Sequence, residues 1–487
     1  MSLATMSFFR KTLLTLLASS LLGGFAAAGQ ALASHSQATY FEGSAQLLDP
    51  STRAHAIEQL RYLGVDALRV ELQWAEVAPG PDDATRPVFD ATDPASYNWG
   101  QYDALIAEAS RLHWSVLLTI TAPVPRWATS NRQAPYVTRP DGRAFQEFMT
   151  AVGRHFGSTV SLFAIWNEAN HPAFLLPQWN SNGTPASPRI YRGLYQAGYA
   201  GLRAAGLAHP RVLFGETAPT GYSKINVRRE GSKALLHDVS PLAFLRGALC
   251  LNAKYKKSGS CSKLTMSGYA HHAYTKPVGP YYRPPGKDDI TIGVLSRLSH
   301  ALDLAGRAHA IPSRLSIYLT EFGVQSYPNK TLGVTVAKQA EYDAISEHIA
   351  YSNPRVAAFS QYLLKDDPIG GAPGSSARGG FIGFQSGLEY ISGLPKPLFF
   401  GFPVPLTVTK KHHGVALWGF VRPSAGATKV TVLVRAKGSR SYRTLRTVRT
   451  NGLGYWSLNS SKAGRYWRVR WVSPTGVKYE GPPIRAY

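Results

Sequence analysis

The chain has 487 residues, more than one ordinary hydrophobic core organises, so two domains are expected. A 44% hydrophobic and 11% aromatic content excludes a largely disordered chain, and two cysteines exclude a disulfide scaffold or a cysteine-built zinc module. The formal net charge of +24 is lopsided: from Phe402 to Tyr487 there are sixteen Lys and Arg and one acid, Glu480.

The N-terminus reads as an export signal. Arg10-Lys11 supplies a positive start, Thr12 to Ala28 is apolar and rich in small residues, and Ala31-Leu32-Ala33 fits a small-x-small cleavage site before Ser34. A membrane anchor is the competing reading, but the Leu-rich stretch is short and interrupted by glycine. A signal peptide over 1–33 predicts a secreted, extracellular or cell-wall-associated protein with no membrane span after cleavage. In that oxidising setting Cys250 and Cys261 are expected to pair.

From residue 34 to about 402, short apolar runs alternate with helical periodicity. Strands are expected at Thr39–Glu42, Ala67–Leu72, Ser115–Thr119, Leu162–Asn167, Val212–Thr217, Met266–His271, Ser316–Glu321 and Ala357–Leu363. Helices are expected at Arg53–Leu63, Tyr102–Leu112, Ala144–Phe156, Tyr191–Ala205, Gly293–Ala308 and Ala337–Tyr351, with stops at Gly64 and Gly206. Lys396-Pro397 is expected to open a short eighth helix. Eight strands alternating with helices predict a (β/α)8 TIM barrel, with the long connections after the strands gathered on its C-terminal face. An open doubly wound sheet is the competing architecture, but no Gly-rich turn follows the first strand.

After Pro403-Val404-Pro405 the periodicity changes to two. Val415–Val421, Lys429–Ala436, Tyr442–Thr450, Arg465–Val472 and Lys478–Pro482 predict a small all-β sandwich, immunoglobulin- or fibronectin-like, over 403–487. Its basic surface suits an anionic cell-wall polymer or acidic polysaccharide; general Arg richness that keeps the chain in solution is the competing reading, and nucleic acid is not expected for an exported protein.

Two apolar runs end abruptly on a carboxylate: Ala164-Ile165-Trp166-Asn167-Glu168 and Tyr318-Leu319-Thr320-Glu321. A charge in mid-strand would be buried at high cost, whereas one at a strand tip reaches a cleft. Two glutamates on separate strands of one sheet are what glycosidic-bond cleavage requires. Asn167 supplies a fixed amide beside Glu168. Arg69, amid apolar neighbours on the second strand, needs an acidic partner if it points inward. His271 and His272 are adjacent on the sixth strand, so at most one enters the site. Tyr274 is placed to donate to Glu321. No His spacing typical of zinc accompanies them, so no metal and no organic cofactor is expected. Trp74, Trp127, Trp166 and Trp179 lie at or near strand ends, where a ring either stacks on a sugar or packs in the core. Trp74 and Trp127 are carried as the substrate-binding candidates.

The Trp-Asn-Glu of the fourth strand and the Thr-Glu-Phe-Gly of the seventh resemble clan A glycoside hydrolases, which include the cellulase-like family 5 and the xylosidase/iduronidase-like family 39. The resemblance covers about Thr39 to Phe400. It implies a retaining glycosidase acting on a poly- or oligosaccharide, with Glu168 as acid/base and Glu321 as nucleophile, their carboxyl groups about 5–5.5 Å apart. By the same resemblance Asn167 matches the clan's Asn before the acid, His272-Ala273-Tyr274 its sixth-strand motif, and Arg69 its second-strand Arg. Where many members carry a Trp at the end of the eighth strand, this chain has Phe359-Ser360-Gln361-Tyr362, so Tyr362 or Gln361 is expected to take that place. The competing function is a carbohydrate- or cell-wall-binding protein on the same barrel without turnover.

Overall fold

The computed structural model describes residues 37–131, 134–368, 383–424, 426–462 and 464–487. The signal peptide expected over 1–33 lies outside them. Among the described residues no helix is long and apolar enough to cross a membrane.

The eight apolar runs form parallel strands: β1 (Ala38–Glu42), β2 (Ala67–Gln73), β3 (Ser115–Thr121), β4 (Leu162–Ile165), β5 (Val212–Thr217), β6 (Gly268–His272), β7 (Ile317–Glu321) and β8 (Val356–Tyr362). They close into a barrel when β8 pairs with β1, as in Ser360 opposite Tyr40. One principal helix follows each strand in turn: Arg53–Tyr62, Gly100–Arg111, Gly142–Phe156, Ser187–Ala204, Pro241–Ala248, Leu295–Arg307, Val336–Tyr351 and Pro397–Gly401. Gly64 and Gly206 follow two of these helices with φ of 75° and 97°, a region that costs a side chain strain. Pro397 opens the last helix, where its missing N–H costs nothing. The helix Pro241–Ala248 was not expected, because six of its eight residues are buried and it shows no polar face to set a period.

Strand alternation builds the barrel interior in layers. Tyr40, Ala67, Leu117, Leu162, Ala164, Leu213, Ala270 and Ala358 form an apolar plug. Two residues further along their strands, Glu42, Arg69, Thr119 and His272 occupy the next layer, all buried. The intervening Leu68, Val70 and Leu72 join the much larger core between strands and helices. The polar layer is therefore sealed beneath and open only toward the C-terminal face.

The expected fourth strand, Leu162–Asn167, stops at Ile165. Trp166 and Glu168 adopt φ of 72° and 37°, which takes the chain out of the ladder. Glu216 does the same at the end of β5, with φ of 44°, and the β5–β6 register shifts between Gly215 and Thr217.

Among the described residues the C-terminal region holds seven strands: β9 (Leu406–Lys411), β10 (Gly414–Gly419), β11 (Lys429–Arg435), β12 (Arg443–Arg449), β13 (Trp456–Ser460), β14 (Tyr466–Val472) and β15 (Lys478–Glu480). β9 and β13 were not expected, the first because it follows directly on the Pro-Val-Pro segment and the second because Ser and Asn occupy its exposed positions. The sheets run β13-β10-β9 and β12-β11-β14-β15, and Val408, Leu417, Val432, Trp467 and Trp471 fill the core between them. The fourth strand thus pairs with the third, which departs from the constant immunoglobulin order, where it pairs with the fifth. Arg422 fastens these sheets to the barrel. It donates to Phe402 O (2.7 Å), Thr39 Oγ1 (3.1 Å) and Glu347 Oε2 (2.6 Å). Trp418 stacks on His348 with ring centres 4.5 Å apart.

Candidate active site

Arg69 organises the polar layer. It is fully buried, and its Nη1 and Nη2 donate to Glu42 and Glu71. It holds Glu216 through two bonds, Nε to Oε1 (3.1 Å) and Nη2 to Oε2 (2.8 Å). Nη2 also reaches Asn167 Oδ1 at 3.0 Å, and Nη1 approaches Glu321 Oε2 at 3.4 Å. One guanidinium thus ties β1, β2, β4, β5 and β7 together at the height where the strands end. Burial pushes the Glu216 carboxyl up, and the Arg69 contact overrides this and holds it below the usual carboxylate range.

Glu168 and Glu321 face each other across His272. One oxygen of each and a ring nitrogen of His272 all lie within 4.8 Å of one another. His272 Nδ1 is 2.9 Å from Glu168 Oε1 and 3.4 Å from Glu321 Oε2. The other ring nitrogen, Nε2, is buried with no partner, so the proton is assigned to Nδ1, where both acceptors are. Burial lowers the His272 pKa, against the raising effect of the nearby Glu321 and Glu216 carboxylates. Among the described residues this trio is also the one group of such side chains close enough to share a metal ion, but a proton on Nδ1 already satisfies its contacts.

The two carboxyls differ in environment. Burial raises Glu168 to about 8 against a weaker pull from Arg69, so it keeps its proton at neutral pH. Burial also raises Glu321, but His272 and Arg69 oppose the rise, and Tyr274 donates its hydroxyl to Glu321 Oε1. His271, one residue before His272, points the other way. It bonds Thr217 Oγ1 (2.9 Å) and Ile290 O (2.9 Å) and takes no part in the site.

A cavity of about 240 Å³ opens above this layer, lined by Glu42, Glu71, Asn167, Glu168, Glu321, Tyr274 and Tyr362, with Lys276 and Asp238 from the surrounding loops. Tyr362 therefore stands where the eighth-strand aromatic was expected, its ring edge-on to Phe384 at 5.3 Å. Gln361 is turned away, its amide donating to Tyr362 O and Ser386 O.

The tryptophans carried as substrate-binding candidates, Trp74 and Trp127, are not among the residues that line the cavity. Trp74 is fully buried in the helix layer, stacked on Phe148 at 5.0 Å. Trp127 packs edge-on against Trp74 and Phe89 and does not line the cavity. Trp166 and Trp179 are also buried, with Nε1 donating to Phe174 O and His237 O. Trp74, Trp166 and Trp179 stabilise the core between strand ends and helices, and Trp127, half-buried, packs against it.

Sequence reasoning missed Glu42, Glu71 and Glu216, though each left a signal. Glu42 and Glu216 end or nearly end apolar runs, as Glu168 and Glu321 do. Glu71 lies two residues beyond Arg69 and so shares its face. Asp238, whose carboxyl burial raises to about 7, enters from a loop with no such pattern. Cys250 and Cys261 are joined by a disulfide with Cα atoms 5.9 Å apart, in the connection before β6.

No protein-family model and no curated protein matches the sequence. Among solved structures the chain is similar to a glucosidase from Croceicoccus marinus, with a TM-score of 0.50 and 12% identity over 90% of this chain and 95% of that one. It is also similar to a monomeric β-xylosidase from Caulobacter crescentus, with a TM-score of 0.49 and 14% identity over 94% of this chain and 96% of that one. At such identity the likeness is one of fold.

Proposed function

We propose that this chain is a retaining glycoside hydrolase. The observation that carries the reading is the approach of Glu168 and Glu321: one oxygen of each lies within 4.8 Å of the other. Inverting enzymes keep their carboxyls roughly 6.5–9.5 Å apart to admit a water, whereas retaining enzymes hold them at about 5–5.5 Å.

In the first step Glu321 attacks the anomeric carbon. The bond to the leaving oxygen breaks, and Glu168 gives that oxygen its proton. Tyr274 and Arg69 hold the Glu321 oxygens, which fixes the attacking atom and favours its ionised form. In the second step Glu168, now ionised, takes a proton from water. The resulting hydroxide adds to the anomeric carbon and releases Glu321. The sugar leaves with its anomeric configuration retained, and Glu168 is again protonated.

The division of roles follows from environment. Among the described residues Glu168 has burial and the single donor His272, as an acid needs, while Glu321 accepts from Tyr274 and Arg69 and also lies near His272, as a nucleophile needs. Asn167, held by Arg69, presents its amide toward the cavity as a partner for a sugar hydroxyl. We further propose export from the cell, on the strength of the N-terminal leader pattern and the disulfide.

The test is hydrolysis of a panel of aryl glycosides, followed by NMR of the first-formed anomer. A first product of retained configuration is expected, together with azide rescue of Glu321→Gly. Inverted product, or full activity in Glu321→Gly without azide, would exclude the mechanism.

A further inference from the structure

The outer face of the β12-β11-β14-β15 sheet gathers arginines around tyrosines. The guanidinium carbons of Arg435, Arg485 and Arg465 lie 4.4, 4.9 and 5.6 Å from the centre of the Tyr466 ring. Arg485 also donates to the Tyr466 hydroxyl. Arg435 is shared with Tyr442, whose ring lies 5.3 Å away. The one acid of this region, Glu480, is taken by Arg468 and Arg470 at 2.7 and 2.5 Å. Among the described residues no carboxylate lies within ion-pair distance of Arg435, Arg465 or Arg485. Arg485 acts on Glu341 of the barrel only from beyond that distance.

Three like charges around one ring repel, and the ring's quadrupole offsets only part of that repulsion. An anion placed among them removes the repulsion and gains forked hydrogen bonds, since a guanidinium matches a carboxylate at two points. The position also fits. Tyr487, two residues beyond Arg485, touches Tyr281 with hydroxyls 3.2 Å apart. Tyr281 belongs to the connection after β6 that supplies Tyr274 and Lys276 to the cavity.

We propose that Arg435, Arg465, Arg485 and Tyr466 form a binding site for the carboxylate groups of an acidic polysaccharide, which anchors the polymer on the flank of the barrel. The choice of a glycan over another polyanion rests on the proposed glycosidase function; the anion site itself does not.

The test is retention of the full chain in gels containing polygalacturonate, with hydroxyethyl cellulose as the neutral comparison. The triple variant Arg435→Gln, Arg465→Gln, Arg485→Gln is expected to bind polygalacturonate at least tenfold more weakly. A second triple variant, Lys410→Gln, Lys411→Gln, Lys462→Gln, removes the same charge elsewhere on the domain and is expected to stay within twofold of the parent. Equal losses in the two variants would reduce the effect to net charge and overturn the proposal. If the arginine triple does not fold, Arg435→Lys, Arg465→Lys, Arg485→Lys keeps the charge and removes the forks; a severalfold loss supports the site, and undiminished retention overturns it. Tighter binding to duplex DNA or to phosphatidylglycerol vesicles than to polygalacturonate would overturn the assigned occupant. Retention needs no turnover, so an inactive enzyme that is retained separates failure of the glycosidase reading from failure of this one.

Discussion

Arg69 and Glu216 form a two-point ion pair inside the barrel, Nε to Oε1 at 3.1 Å and Nη2 to Oε2 at 2.8 Å, both side chains sealed from solvent. Glu42 and Glu71 lean on the same guanidinium. Removing it strands three carboxyls in the barrel, and breaking a buried pair costs roughly 3–5 kcal/mol. Arg69→Ala is therefore expected to unfold at a much lower urea midpoint than the parent. A midpoint unchanged within error would show that the pair carries little of the barrel's stability.

Glu168→Gln removes the proton donor of the proposed mechanism but keeps the shape of the site. Loss of a general acid lowers turnover by about 10²–10⁴. The fall is expected to be large for substrates with poor leaving groups and small for dinitrophenyl glycosides, which leave without a proton. Steady-state kinetics on the two substrate types reads the difference; equal losses on both would assign Glu168 another role.

The pH profile of kcat/KM is expected to be bell-shaped. Glu168 must hold its proton, so activity is present below its pKa of about 8 and is lost as pH rises through it. Glu321 must be ionised, so activity falls on the acid side. Burial sets that limb above the ordinary carboxylate value of 4.5. An alkaline limb that survives in Glu168→Gln would disconnect it from this residue.

Tyr274→Phe deletes the hydroxyl donated to Glu321. A hydrogen bond to a charged group contributes roughly 1.5–3 kcal/mol, which corresponds to a loss of about 10- to 150-fold in kcat. The bond favours the ionised carboxylate, so its removal raises the Glu321 pKa and moves the acid limb to higher pH. A lower kcat with an unmoved acid limb would mean that Tyr274 acts on the substrate instead.

Trp74 and Tyr362 separate core from cavity. Trp74→Ala is expected to cost about 3–5 kcal/mol of stability, the range for a buried aromatic. Tyr362→Ala is expected to raise KM with a much smaller loss of stability, because its ring borders the cavity. Thermal unfolding and KM, measured on both variants, are expected to move in this crossed pattern.

The barrel and the strand-tip carboxylates Glu168 and Glu321 are legible in the sequence. Eight apolar runs at helical spacing call for a closed parallel sheet, and Glu168 and Glu321 end such runs where a buried charge would be too costly. The parity that turns Arg69 inward also turns Glu71 inward and turns Trp74, an odd number of steps on, toward the helices. What distinguishes the carboxyls from one another is set by tertiary contacts. Glu42, Glu168, Glu216 and Glu321 share one local signature, a carboxylate at or near the end of an apolar run, and nothing in those runs ranks them. Closure of the barrel brings Arg69 against Glu42 and Glu216 and sets His272 between Glu168 and Glu321. The roles follow from burial and from neighbours that lie up to 252 residues away along the chain, as Glu321 does from Arg69. A carboxyl's affinity for its proton is a property of that enclosure, and no local run of sequence contains it.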